Sequence, residues 1–311
     1  MSRIALILNG YKDDRGFVQE GYEGALAARE SLGFDLDLID FTKGSEELLR
    51  DEVEQAVKRG ASGVIVHGSR ADAALQDVAR TYPDCAFLSP GGQAEGPNVW
   101  NYAVRHFEAA FLAGILAGRM TRSGVVGHLS GVFISPGKKG RAAYVDGVRT
   151  ADPAVEVLTG FCGNQDDPAL AAAWITAQAQ QGADIIFTML NFGRSGAVDA
   201  CRTQGIHQIG NIRDWCAEEP DVFIGSAISR HGWSIRTWIA DLLADRLEPG
   251  RNLHPGLETP EAVDLIVGKD IPGAVLDEIA AYREDIVAGR RVVETTYDGP
   301  EFMPDMTLNT A

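Results

Sequence analysis

The side chains with the most chemistry to offer stand where apolar runs end. The run Ile4-Ala5-Leu6-Ile7-Leu8 gives way to Asn9-Gly10-Tyr11-Lys12-Asp13-Asp14-Arg15-Gly16, and a helix-period segment opens at Phe17. This interval carries a phenol at Tyr11, carboxylates at Asp13 and Asp14, and an aromatic face at Phe17. A second interval, Val64-Ile65-Val66-His67-Gly68-Ser69-Arg70, ends an apolar run on an imidazole and a hydroxyl. Open α/β sheets hold ligands at the carboxyl ends of their strands, so Tyr11, Asp14, Phe17, His67 and Ser69 are candidate ligand contacts. The same residues have plainer readings. Acidic groups before a helix complement its dipole, Phe17 is placed to act as a hydrophobic staple, and a strand histidine is often a satisfied core residue.

Several reaction classes lack their residues. No Walker A or GxGxxG sequence follows the first strand, and Gly137-Lys138-Lys139-Gly140 lacks the phosphate-loop spacing and reads as a solvated loop. Neither NAD nor ATP is expected, and no cofactor is assigned. There is no GxSxG elbow and no HExxH. The six histidines are not spaced as metal ligands, and the four cysteines, Cys85, Cys162, Cys201 and Cys216, form no CxxC pair. His106 and His128 read as structural, and the cysteines as core filling, either free or bridged.

The 311 residues carry 44 acidic against 28 basic side chains, a formal charge of −16, with 45% hydrophobic residues. Such a field repels polyanions, so neither nucleic acid nor an anionic membrane surface is an expected partner. No apolar run approaches the roughly 18 residues of a membrane span. Met1-Ser2-Arg3 leads straight into an apolar run of strand length, without the features of a signal peptide. The expectation is a cytoplasmic chain if this is the native start, or an exported one if a signal has been removed.

These residues need a scaffold, and the hydropathy pattern supplies it. Strand-like runs are expected at 4–8, 36–40, 63–67, 85–88, 99–102, 125–130, 155–159, 185–189, 208–210, 223–227 and 262–267. Helical periodicity falls at 17–32, 45–59, 72–82, 107–122, 140–150, 168–181, 195–203, 232–247 and 274–288, with a last apolar run at 291–295. Nearly continuous apolar strands followed by helices imply parallel strands buried on both faces. The alternation runs twice, breaking near Arg122. The fold class is therefore α/β, with two doubly wound parallel-sheet lobes joined by a three-strand hinge near Arg122, 226–229 and 255–260. The lobes are expected at 1–122 with 229–256 and at 123–228 with 257–311, with the ligand in the cleft between them.

The stretch Asp13-Asp14-Arg15-Gly16-Phe17-Val18-Gln19-Glu20-Gly21-Tyr22-Glu23-Gly24 resembles the DDxSFNxxxxEG block of the basic membrane protein family of ABC-transporter solute-binding proteins, which includes purine nucleoside receptors. The likeness continues through residues 79–84, through Phe111-Leu112-Ala113-Gly114-Ile115-Leu116-Ala117-Gly118-Arg119-Met120-Thr121, through 182–187 and through 282–293. The resemblance implies a type I periplasmic-binding fold, a purine-like small-molecule ligand, an ABC permease as partner if the chain is exported, and a periplasmic location in that case. It implies that Phe17 stacks on a base, with Phe192 as the opposite face and Asp14 or Asn101 on a base edge. Trp100 and Tyr102 flank Asn101, and at least one of them is expected to face the cleft.

Departures from the family pattern narrow the ligand. The asparagine after the stacking phenylalanine is Val18 here. The ribose-binding GxDxDQ stretch reads Gly210-Asn211-Ile212-Arg213-Asp214-Trp215, which leaves Asp214 as its only aligned carboxylate, with Trp215 filling space. The expected lysine is Ser229. Loss of groups that grip sugar hydroxyls points to a free nucleobase or another planar heterocycle. Two alternatives stand beside an ABC-importer binding protein: a cytoplasmic sensor using the same clamp, and an enzyme on the binding fold drawing on Asp13, Asp14, His67 and Asp214. With strand one at Ile4, no helix-turn-helix for reading DNA is expected.

Overall fold

The computed structural model describes residues 2–41, 44–68 and 71–304. Strands and helices alternate in the order β1 (Arg3–Asn9), α1 (Phe17–Leu32), β2 (Asp35–Asp40), α2 (Glu46–Lys58), β3 (Gly63–Gly68), α3 (Asp72–Thr81), β4 (Ala86–Leu88), β5 (Val99–Trp100), α4 (His106–Met120), β6 (Val125–Ser130) and α5 (Ser135–Ala151). There follow β7 (Glu156–Phe161), α6 (Pro168–Gln180), β8 (Ile185–Met189), α7 (Arg194–Gln204), β9 (His207–Ile212), α8 (Trp215–Glu218), β10 (Phe223–Ser229), α9 (His231–Leu243), β11 (Val263–Val267) and α10 (Gly273–Val287).

The first compact unit comprises Met1–Val104 and Arg230–Pro255. Its sheet has the order β2-β1-β3-β4-β5, with every pairing parallel. Both faces are covered, which explains the unbroken apolar run of β1. Ala5 and Ile7 join Val64 and Val66 in a layer under Leu49, Val53, Leu75 and Val78 of α2 and α3. Ile4, Leu6 and Leu8 join Ile65 in the opposite layer, under Val18 and Ala25 of α1 and Ile235 and Trp238 of α9. The strand order reverses between β1 and β3, whose carboxyl ends lie side by side with Asn9 opposite Gly68. In open α/β sheets that point is the natural ligand position.

The second unit comprises Arg105–Ser229 and Gly256–Ala311. Its sheet runs β11-β10-β9-β8-β6-β7, parallel except for the antiparallel edge strand β11 on β10. The order reverses here between β6 and β8. Trp174 and Ile175 of α6, Ala197, Val198 and Cys201 of α7, and Trp215 pack one core layer. Helices α4 and α5 meet at backbone distance, since a Cβ on Gly114 would stand 2.1 Å from the Tyr144 carbonyl oxygen and one on Gly147 2.1 Å from that of Phe111. Helix α4 also packs on β10 and β11. These contacts assign the whole helix to the second unit, so the chain first passes between units at Val104–Arg105 rather than near Arg122.

Other local differences have local causes. Helix α5 begins at Ser135, before the glycine-rich stretch read as a loop. Pro136 sits in its first turn, where no amide hydrogen is needed, and the Lys138 N–H already donates to the Ile134 carbonyl at 3.0 Å. Residues 291–295 form no strand. Arg291 instead binds Asp146 and Thr150, and further on the Phe302 N–H donates to the Thr159 carbonyl at 2.7 Å. All four cysteines are free, with Cys85 and Cys201 buried. His128 is fully buried between the Thr159 and Ser130 hydroxyls at 2.8 and 2.9 Å, and is structural.

Gly114→Val should destabilise the fold by about 1–3 kcal/mol, the usual cost of overpacking. Urea denaturation reads this directly, and an unchanged midpoint would show that α4 and α5 can separate freely.

Candidate functional site

The loop after β1, the start of α1 and the end of β3 carry Tyr11, Asp14, Phe17 and His67, four of the residues expected to contact a ligand. Ser69 lies outside the described residues. Tyr11 is 43% exposed, and its carbonyl accepts the Asp14 N–H at 3.2 Å to close a turn. Asp14 is only 2% exposed, and its carboxylate accepts the N–H groups of Gly16, Val18 and Gln19 at 2.8, 3.1 and 3.0 Å. It therefore caps α1, filling the role that glycine at position 16 cannot, and stabilises the helix start through both hydrogen bonding and charge. The plainer reading of Asp14 describes this arrangement.

Phe17 is the first residue of α1 and is partly buried. One side of its ring lies against His67, with centroids 4.2 Å apart and planes 33° apart. The His231 ring meets it edge-on at 4.5 Å. His67 Nε2 lies 2.7 Å from the Phe17 carbonyl oxygen. A carbonyl can only accept, so Nε2 carries the proton, and Nδ1 is left as a buried acceptor with no hydrogen-bond partner among the described residues. Burial lowers the His67 pKa from 6.5 to about 4 and keeps the ring neutral. Gly21 makes this packing possible, because a Cβ there would stand 2.2 Å from His67 Nε2. Backbone and side chain of Phe17 are thus both held by one histidine.

Trp100 and Asn101 lie elsewhere, at edge strand β5. Trp100 is buried beside Trp238, and its indole N–H donates to the Glu248 carbonyl at 3.0 Å. Tyr102 is buried in the same core layer. Both rings supply apolar cover at a short edge strand, Trp100 from within β5 and Tyr102 from just beyond it. Asn101 is buried too, its side-chain amide donating to the Ala94 carbonyl at 2.5 Å while its backbone N–H donates to Asn252 Oδ1 at 2.8 Å. It ties two loops together.

In the second unit the candidates follow β8 and β9, which are neighbours in the sheet. Phe192 is partly buried in a loop pinned by the Gln165 carbonyl, which accepts the N–H groups of Asn191 and Gly193, each at 3.0 Å. Asp214 caps α8 by accepting the Ala217 N–H at 3.1 Å. Trp215 packs into the core, stacking on Phe223 at 5.7 Å and donating its indole N–H to the Asn211 carbonyl at 2.9 Å. The neighbouring Ile212 has φ +70°, a left-handed conformation uncommon for a β-branched residue.

Three residues near these positions went unassigned at the level of sequence. Arg194 is 1% exposed. It donates to Thr188 Oγ1 at 2.8 Å, to the Leu190 carbonyl at 2.7 Å and to Asn211 Oδ1, and its guanidinium lies 4.4 Å over the Trp215 ring. It braces the loops after β8 and β9. Phe133, 56% exposed between Val132 and Ile134, follows β6 at the reversal of strand order. An apolar triplet just before a Ser-Pro helix start is the signal that could have found it. His231 completes the Phe17 contact from a helix more than two hundred positions away, which no local pattern foretells. Among the described residues no group of His, Cys, Asp and Glu side chains is arranged to hold a metal ion.

Residues 1–291 match the model of the Bmp family, ABC transporter substrate-binding PnrA-like proteins. The chain belongs to this family. The Bmp family is one of substrate-binding proteins, not of enzymes. Among curated relatives, the chain is 22% identical over 214 residues to the transcriptional activator protein Med of Bacillus subtilis, covering 69% of this chain and 66% of Med. It is 24% identical over 155 residues to a purine-binding protein of Brucella abortus, covering 50% of this chain and 44% of that one. The solved solute-binding protein of an ABC transporter system from Aeropyrum pernix K1 superposes with a TM-score of 0.84 at 19% identity, covering 96% of this chain and 94% of that one. This likeness shows the fold. No helix among the described residues of this Bmp protein is long and apolar enough to cross a membrane.

The His67 contribution to stability has a definite sign. Its folded pKa, about 4, lies below the ordinary 6.5, so the unfolded chain binds the extra proton between those values. Stability from this site is complete above pH 6.5 and falls as the pH drops toward 4. His67→Gln should remove that part of the slope, read as the difference between wild-type and variant urea midpoints across pH 4–7. Parallel curves would refute the assignment.

Proposed function

We propose that this chain captures a planar heterocycle of purine type and delivers it to an ABC permease outside the cytoplasm. The observation that carries the reading is Phe17. It is an aromatic ring at the reversal point of the first sheet, buttressed by His67 and His231, in a chain whose family consists of ABC-transporter substrate-binding proteins. Phe192 is the second ring that the family resemblance assigns to the solute, partly buried in the loop after β8. Base–aromatic stacking of about 1–3 kcal/mol suits such a ligand. The match to a purine-binding protein supports the class.

The free base is the favoured form. With Ile212 and Ser229 in place of charged groups, and Asp214 engaged in capping α8, the chain has few groups to hold ribose. Native mass spectrometry of freshly purified protein, followed by calorimetry with adenine, guanine, hypoxanthine and their nucleosides, tests this. Bases should bind more tightly than nucleosides, and Phe17→Ala should weaken binding about 5- to 150-fold, as loss of one stacking contact requires. Tighter nucleoside binding would refute the free-base form, and no purine binding would refute the class.

A second reading, a cytoplasmic solute sensor with the same clamp, is favoured by the match to Med. Fractionation of the native host separates the two, because a sensor stays with the cytosol.

A further inference from the structure

Helix α1 turns one face toward α9 and β3. Phe17, Glu20, Gly21 and Gly24 recur at the spacing i, i+3, i+4, i+7 that lines up on one side of a helix. Phe17 meets His67 and His231, and Gly21 clears space for the His67 ring. At Gly24 the helices touch backbone to backbone, since a Cβ there would stand 2.2 Å from Gly232 Cα. Glu20 lies between these contacts. Its Oε2 accepts the Gly232 N–H at 2.6 Å, in the first turn of α9. The residue at the N-cap of α9, Arg230, makes no side-chain capping bond. A residue of α1 therefore performs the capping that α9 does not perform for itself, one position from the His231 ring that holds Phe17.

We propose that Glu20 is the positioning residue of the Phe17 platform: it anchors the start of α9 and thereby fixes His231 against the ring offered to the solute. This deepens the purine reading above and rests on it for the identity of the solute. The glycine contact sets the distance between the helices, and the Glu20 bond sets their register, so the three rings keep one arrangement before any ligand arrives. Preorganisation of this kind removes an ordering cost from binding.

The charged neighbours of Glu20 give the idea a second handle. Arg230 of α9 and the Gly232 and His231 amides favour the carboxylate, Glu23 of α1 opposes it, and across the helix face His67 of β3 is held neutral. Burial is the largest influence, raising the Glu20 pKa to about 7. The packed junction thus prefers the protonated acid, whereas a loosened junction would let it ionise in water. Raising the pH through 7 should loosen the platform, and solute affinity should fall.

Glu20→Gln keeps an acceptor and mimics the protonated form, whereas Glu20→Ala removes both. Calorimetry with adenine on the intact protein from pH 6 to 8 should show wild-type affinity falling by up to about tenfold, the change that one proton titrating at about 7 gives between those limits. Glu20→Gln should be flat with pH, and Glu20→Ala should be weaker throughout by about threefold or more, as loss of one hydrogen bond implies. Nuclear Overhauser contacts between the Phe17 and His231 rings provide a ligand-free readout, expected to persist in Glu20→Gln and to vanish in Glu20→Ala while circular dichroism confirms folding. If adenine binds and both variants match wild type at every pH, the positioning role is overturned and the purine reading survives. If no purine binds wild type, the purine reading fails and the ring contacts alone decide: their loss in Glu20→Ala sustains the role, and their persistence overturns it.

Discussion

The end of the first unit where β1 and β3 finish depends on how closely α1 approaches its neighbours. Gly21 and Gly24 remove two side chains from one helix face, and no larger residue fits either place, since the added atom would lie 2.2 Å from the His67 ring or from Gly232 Cα. That approach lets a strand histidine reach the backbone and the ring of Phe17 together, and lets a carboxylate of one helix cap another. Glycine in a helix interior costs helix stability, and the burial of Ala25, Ala28, Ile235 and Trp238 around the same contact offsets it.

Polar side chains at the strand ends mostly serve the scaffold. Asp14 caps α1, Asp214 caps α8, Asn101 ties two loops and Arg194 braces the ends of β8 and β9. Buried polar groups must find partners inside the protein, and each of these does so with backbone atoms or neighbouring side chains. Aromatic side chains near the strand ends stay at least partly accessible, Tyr11 and Phe17 in the first unit and Phe133 and Phe192 in the second.

The two units reuse one solution with different details. Both sheets reverse their strand order beside the strand that opens them, β1 in one and β6 in the other, and both place an aromatic residue just beyond, Phe17 and Phe133. The second sheet adds an antiparallel edge strand, β11, supplied after the chain has returned from the first unit.

Element types and the two-sheet architecture were legible along the chain because burial on both faces writes continuous apolar strands, and amphipathic helices write their own period. The bounds of α1, β6 and β8 follow from that pattern alone, whereas the family was legible only as a resemblance, through the Asp13–Gly24 block and the α4 run. Of the candidate site, Phe17 and His67 stood out as candidates because they end or begin such runs, and the fold places them in contact. The roles of Trp100, Asn101 and Trp215 were not, because direction from a strand end depends on what packs across it, and here other elements supply Glu248, Ala94 and Asn211 as partners. The unit that claims α4 was likewise decided by glycine contacts with α5, and the neighbours of Phe17 by a helix that begins at His231. Periodicity reports which residues avoid water, a local and additive property. Which side chains meet depends on chain segments far apart in sequence, and only the folded packing of α1, β3 and α9 brought Phe17, Glu20, His67 and His231 together.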